Sequence, residues 1–168
     1  MQSNKWSVAA QNAIILALVT IIASLIQAVF PDLPGFVGII IWLVKLTLSV
    51  FLVYYFIKEY SKGFEIFTYK QGFHFGSILC LLSSVIGAAY LFLHMGFLFP
   101  EATTSQMEMI AQSMESSNPD GAEALMGVMG HLPKLAFLFS LIYYTLFGVV
   151  VSAIVANYTK KGDIFSQQ

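Results

Sequence analysis

Residues 71–99 read QGFHFGSILCLLSSVIGAAYLFLHMGFLF, a long apolar run without one formally charged side chain. Small residues return at every fourth position along it: Gly72, Gly76, Cys80, Ser84 and Ala88. Steps of four drift only about 40° around a helix, so the five form a continuous, slowly winding groove. Lipid gives helices little hydrophobic reason to meet, and close backbone approach along small residues takes its place. The stretch is therefore expected to be the central membrane helix, with the others packed against it. A second seam of small residues, Gly148, Ser152 and Ala156, lies in the last apolar run and is expected to meet that groove.

Composition agrees. Of 168 residues, 58% are hydrophobic and 10% charged, and the mean hydropathy is +0.78. A water-soluble domain carries about 25% charged residues. So sparse a supply cannot cover a water-facing surface, and most of the chain must face lipid or other helices. A formal net charge of -1, with no basic stripe interleaved with aromatics, argues against nucleic acid. All eight basic residues are Lys, so the bidentate phosphate clamp that Arg provides is absent. Cys80 is the one cysteine, which excludes an intrachain disulfide.

Four runs are long enough to span, 8–30, 36–57, 73–99 and 135–158, all within one membrane domain over 1–168. Each reaches or exceeds the roughly 30 Å hydrocarbon core at about 1.5 Å per residue. The first is too long for a signal-peptide core of about 7–15 residues, and Ile26 stands where a small residue would precede a cleavage after Ala28. It is expected to be retained. The Pro31-Asp32-Leu33-Pro34-Gly35 breaker predicts a tight hairpin after it. The fold expected is an all-α membrane protein of four antiparallel transmembrane helices, with a periplasmic helical hairpin between the third and fourth.

Lysines orient it. Lys5, Lys58, Lys62, Lys70, Lys160 and Lys161 fall on one side of four alternating helices, and only Lys134 on the other. Asp32, Glu101, Glu108, Glu115, Asp120 and Glu123 gather with Lys134. The positive-inside rule then puts both termini in the cytoplasm. In the outer loop 100–134, Ser105 with Glu108 reads as a capping box. Residues 116–121 read as a turn, Asp120 and Glu123 as the start of a second helix, and Gly130 and Pro133 as its end. The pair is expected to lie over the outer mouth of the bundle, apolar side down.

At the second loop, Gly63-Phe64-Glu65-Ile66-Phe67-Thr68-Tyr69-Lys70-Gln71-Gly72-Phe73-His74-Phe75-Gly76 has a recognisable outline. A Gly is followed by an apolar-Thr-aromatic step, then Gln-small-Phe and a Gly three residues later. It resembles the segment between helices two and three in domain-of-unknown-function family 4199, a bacterial membrane family widespread in the Bacteroidota. The spans, the short first loop, the acidic third loop ending in Pro and the Lys-bearing tail fit the same plan. The resemblance implies a four-helix inner-membrane protein and assigns no activity to any residue.

Lys45 is the residue most open to chemistry, since it lies about ten residues into the second span. A lysine at that depth costs about 2.5–3.5 kcal/mol on insertion scales and is a functional candidate by default. No carboxylate lies in any span; hydroxyls at matching depth are Thr20, Ser24, Ser83, Ser84, Tyr144 and Thr145. One reading is an anchor that snorkels toward Asp32 and Glu101, and the other is a site on an ion or substrate path. His94, Glu101 and His131 lack close metal-ligand spacing, and His74 lies about 30 Å of helix from His94. Met107, Met109, Met114, Met126 and Met129 crowd the outer loop. Thioethers bind soft metal ions, but Met on amphipathic helices more commonly packs or meets partners. The loop 58–71 mixes lysines with Tyr60, Phe64, Phe67 and Tyr69, a pattern for lipid headgroups or a docking partner.

No GxSxG, HExxH or P-loop occurs, and no cofactor is expected. The leading expectation is a non-enzymatic scaffold or accessory subunit that contacts other envelope proteins or itself, besides the bilayer. The alternative is a small oligomeric transporter or channel that uses Lys45.

Overall fold

The computed structural model describes residues 4–30 and 34–162. It consists of α1 (Lys5–Val29), α2 (Gly35–Ser61), α3 (Tyr69–Leu93), α4 (Pro100–Glu115), α5 (Pro119–Val128) and α6 (Leu132–Thr159). A π turn at His94–Leu98 continues α3, and a 3-10 turn at Met129–His131 precedes α6. Among the described residues there is no strand, only an isolated bridge between Phe67 and Lys161. Residues 31–33 of the expected breaker, Asp32 included, lie outside the described residues.

Among the described residues, four helical segments are long and apolar enough to cross a membrane: α1, α2, α3 with its π turn, and α6 with the residues that lead into it. The shortest has 25 residues, about 37 Å at 1.5 Å per residue, against a hydrocarbon core of about 30 Å. Their outward faces carry Ile14, Ile22, Ile39, Val44, Leu146 and Ile154, all exposed. Apolar faces this extensive are not left to water. The protein is a multi-pass membrane protein.

The chain divides into two compact units, residues 1–87 with 141–168, and residues 88–140. The core of the first draws on α1 (Ala9, Ala13, Leu16), α2 (Val53, Phe56, Ile57), α3 (Phe75, Leu79) and α6 (Val151, Val155). Its largest fully buried side chains are Phe67, Phe75, Ile57 and Leu79. Tyr60 stacks on Phe75 with ring centroids 4.0 Å apart, and meets Phe64 and Phe67 edge-on. Of the aromatics of the 58–71 loop, Phe67 thus lies in the core and Tyr60 and Phe64 are half-buried against it, where the sequence suggested a headgroup or docking surface. Tyr69 stays outside, stacked on Phe73, and Lys58 lies over the Tyr54 ring at 5.4 Å.

Thr68 opens α3. Its Oγ accepts from the Gln71 backbone N–H at 3.3 Å, while Gln71 Oε1 accepts from the Thr68 backbone N–H at 2.8 Å. This is a reciprocal capping box, two orphan donors satisfied by two side chains. Phe67, one residue earlier, exchanges both backbone hydrogen bonds with Lys161 at 2.9 and 3.0 Å. Gly162 then turns away with φ +76, a backbone angle glycine adopts without strain. At the end of α2, Lys62 donates to Glu59 at 2.6 Å, and that hydrogen bond holds its ammonium above the usual lysine range. Both side chains are exposed, so the pair adds little stability.

In the second unit the helix starts differ from those expected. α4 begins at Pro100, so Ser105 is interior and caps nothing. Proline at the first helical position lacks only an N–H that would be unpaired there anyway. Asn118, not Asp120, caps α5: its Oδ1 accepts from the Gly121 N–H at 3.0 Å, with Pro119 next in line. Pro133 lies in the first turn of α6 and does not end α5. α4 and α5 pack together, with Ala111 and Ala122 buried.

Candidate functional site

The small residues of α3 and α6 do come together. A methyl group added at Gly148 would overlap the Cys80 side chain. One at Gly76 would lie 2.7 Å from both Ser152 Oγ and Ile57 Cδ1, and one at Gly72 3.3 Å from Ala156 Cβ. Ser84 Oγ and Thr145 Oγ1 are hydrogen-bonded at 2.7 Å, and Cys80 Sγ lies 3.7 Å from Ser152 Oγ. Ser84 also donates back to the Leu81 carbonyl at 2.8 Å. Ala88, the last residue of the groove, is fully buried. Removal of side chains brings the two backbones close enough for these weak polar contacts to form across the seam.

Above that seam the packing opens. A cavity of about 170 Å³ lies wholly within the first unit, walled by α1, α2, α3 and α6. Lys45 reaches it from α2, with Trp42 and Ser49 one turn to either side on the same face. α3 contributes Ser83, Ser84 and Gly87; α6 contributes Tyr143, Tyr144 and Phe147; α1 contributes Leu16 and Thr20. Gly87 is buried, yet a methyl group there would meet nothing within 4 Å. Its missing side chain is part of the open volume.

Lys45 Nζ stands 5.9 Å from the centroid of the Tyr144 ring. Of the hydroxyls expected at its depth, Thr20, Ser83, Ser84 and Tyr144 line the cavity. Thr145 is taken up by Ser84, and Ser24 is not in the wall. Ser49, Trp42 and Tyr143 were not among the expected partners. Ser49 was legible, being four residues from Lys45 and so on the same helix face. Of the anchoring partners for Lys45, Asp32 lies outside the described residues. The described carboxylates of this unit, Glu59 and Glu65, belong to the α2 end and the loop beyond it. Glu59 is about 21 Å of helix from Lys45.

A cation over an aromatic ring gains about 0.5–1 kcal/mol, or about 2 when desolvated. A lysine at mid-span costs about 2.5–3.5 kcal/mol. Tyr144 alone does not offset that cost; Thr20, Ser49 and Ser83 in the wall are further hydrogen-bonding groups. The cavity's volume is ample for water, which needs only about 10–15 Å³.

In the second unit, Tyr90 Oη and His94 Nδ1 are 3.1 Å apart, and the His94 ring lies 4.9 Å from that of Phe99. His94, Glu101 and His131 are not brought together: among the described residues, no three His, Cys, Asp or Glu gather as a metal site. Of the methionines, Met109 and Met126 are exposed, whereas Met107, Met114 and Met129 are half-buried. Ile110 and Val128 add to the exposed apolar surface of α4 and α5.

The sequence pattern of a family described as "Protein of unknown function (DUF4199)" matches residues 9–161. No curated protein and no solved structure matches this chain.

Proposed function

This chain belongs to the DUF4199 family, and on that premise we propose a non-enzymatic, multi-pass protein of a bacterial inner membrane whose working site is the Lys45 cavity. Both termini lie in the cytoplasm and the α4–α5 hairpin in the periplasm. Support for antiparallel neighbours comes from contacts that run in opposite order along α3 and α6, from Gly72 with Ala156 to Ser84 with Thr145. Support for the orientation comes from the Phe67–Lys161 bridge, which gathers Lys70, Lys160 and Lys161 at one end of the first unit. Lysine-rich ends stay cytoplasmic.

The cavity serves a small ion or solute, as in a transporter or channel. The observation that carries this is a lysine directed into an open space of about 170 Å³ among hydroxyls, with no carboxylate among the described residues of its wall. The test is flux. Liposomes that hold the protein dissipate an imposed proton or anion gradient, and Lys45→Met abolishes this while the protein still inserts. Equal flux from the Lys45→Met protein would remove the site.

A second reading is a partner-binding scaffold, favoured by the exposed Met109, Ile110, Met126 and Val128 on the hairpin. It requires that replacing residues 107–129 with a neutral linker removes a protein that co-purifies in mild detergent. Unaltered recovery of that protein counts against it.

A further inference from the structure

We propose that the Lys45 cavity receives the head of a single-chain carboxylic acid, a free fatty acid, which comes in sideways from the bilayer. This rests on the reading of Lys45 as the working site and names its ligand. Size comes first. Pockets for drug-sized ligands run to about 300–1,000 Å³, and a cavity of about 150 Å³ holds benzene. At about 170 Å³ this cavity takes a group of about six heavy atoms, so a longer ligand lies partly outside it.

What lies outside follows from depth. The wall residues of α2 run from Trp42 to Val53, in a helix that runs from Gly35 to Ser61. Neither end of the helix contributes, so the cavity is remote from headgroups and water. Trp42 and Tyr143 both line it and are 48% and 59% exposed. Exposed wall residues within a membrane span border lipid, so a ligand held partly outside beside them carries an apolar tail.

The head follows from charge. Lys45 brings one cation, and Ser49, Ser83 and Tyr144 bring hydroxyl donors. A carboxylate presents two oxygens that accept several hydrogen bonds, which matches one ammonium and a few hydroxyls. A lysine holds either a carboxylate or a phosphate head as a point charge, so the reach of each to that depth separates them. A carboxylic acid sheds its charge on protonation, so it reaches mid-bilayer at a cost that a permanently charged phosphate head cannot match. Gly87 completes the case: a methyl group there meets nothing within 4 Å, so the space is open rather than filled by a neighbour.

The probe is a palmitic acid analogue with a diazirine in its tail and a terminal alkyne, photolysed with the full chain in phosphatidylcholine nanodiscs. Labelling is expected on peptides that contain Trp42 or Tyr143. Unlabelled oleate should compete, with oleyl alcohol and phosphatidic acid each at least about tenfold weaker, as loss of a buried charge pair demands. Lys45→Met should weaken labelling by about the same factor. Gly87→Leu, which keeps the lysine and fills the space, should abolish it, and this variant decides the matter if the Lys45→Met protein fails to insert. Labelling indifferent to both changes, or equal competition by phosphatidic acid, overturns the proposal. Lys45-dependent flux without fatty-acid labelling would sink the ligand and spare the site. Lys45-dependent labelling without flux would sink the transport reading and spare the ligand.

Discussion

Gly87 and Gly148 are both buried glycines in apolar helices, and a methyl group would do opposite things to them. At Gly148 it strikes Cys80; at Gly87 it enters open space. Gly148→Ala is therefore expected to destabilise the protein by about 1–3 kcal/mol, the usual penalty for overpacking. Gly87→Ala should fall within about 0.5 kcal/mol of the parent. Thermal unfolding in detergent, followed by the fluorescence of Trp6 and Trp42, separates the two. Ser84→Ala should cost about 0.6 kcal/mol by the same measurement, the average for a hydrogen bond between membrane helices. The depth of Lys45 was legible in the sequence, because a lone charge in a long apolar run is conspicuous. Its direction was not. Snorkelling toward the nearer interface and turning inward to Tyr144 differ by rotamers, and only the helix on the far side of the cavity decides between them.

At the scale of elements, helix starts carry the clearest lesson. Thr68 with Gln71 and Ser105 with Glu108 both carry the Ser/Thr-x-x-Glu/Gln pattern of a capping box. Only the first caps a helix. Pro100 had already begun α4 five residues before Ser105, and a residue inside a helix has no orphan N–H to cap. Thr68→Ala is accordingly expected to cost about 0.5–2 kcal/mol, while Ser105→Ala leaves stability within about 0.5 kcal/mol. Chemical or thermal denaturation in one detergent, with both variants side by side, checks the contrast. The spans and the seam were legible because steps of four and unbroken apolar runs report directly on helices in lipid. The cavity was not. It is a defect of packing among four helices, and no single stretch of sequence encodes where side chains fail to meet. The family-like outline also gains a physical reason: Phe67 fills the core, Thr68 and Gln71 cap α3, and Gly72 and Gly76 admit α6.

For the whole molecule the decisive measurement is sidedness. Cys80 is buried, so a cysteine introduced at exposed Gln112 or Lys160 can be read against a quiet background. With a membrane-impermeant maleimide on intact spheroplasts, Gln112→Cys should label at once and Lys160→Cys only after permeabilisation. The opposite pattern would invert the assignment of the hairpin and both termini. The pairing of Phe67 with Lys161 bears on manufacture. A ribosome delivers residue 67 long before residue 161, so throughout synthesis the N–H and C=O of a core phenylalanine wait without partners. An unpaired buried backbone group costs about 1–3 kcal/mol. Residue 161 therefore latches the first unit shut only after the helices it closes have been made, and a chain cut short before it leaves that latch open.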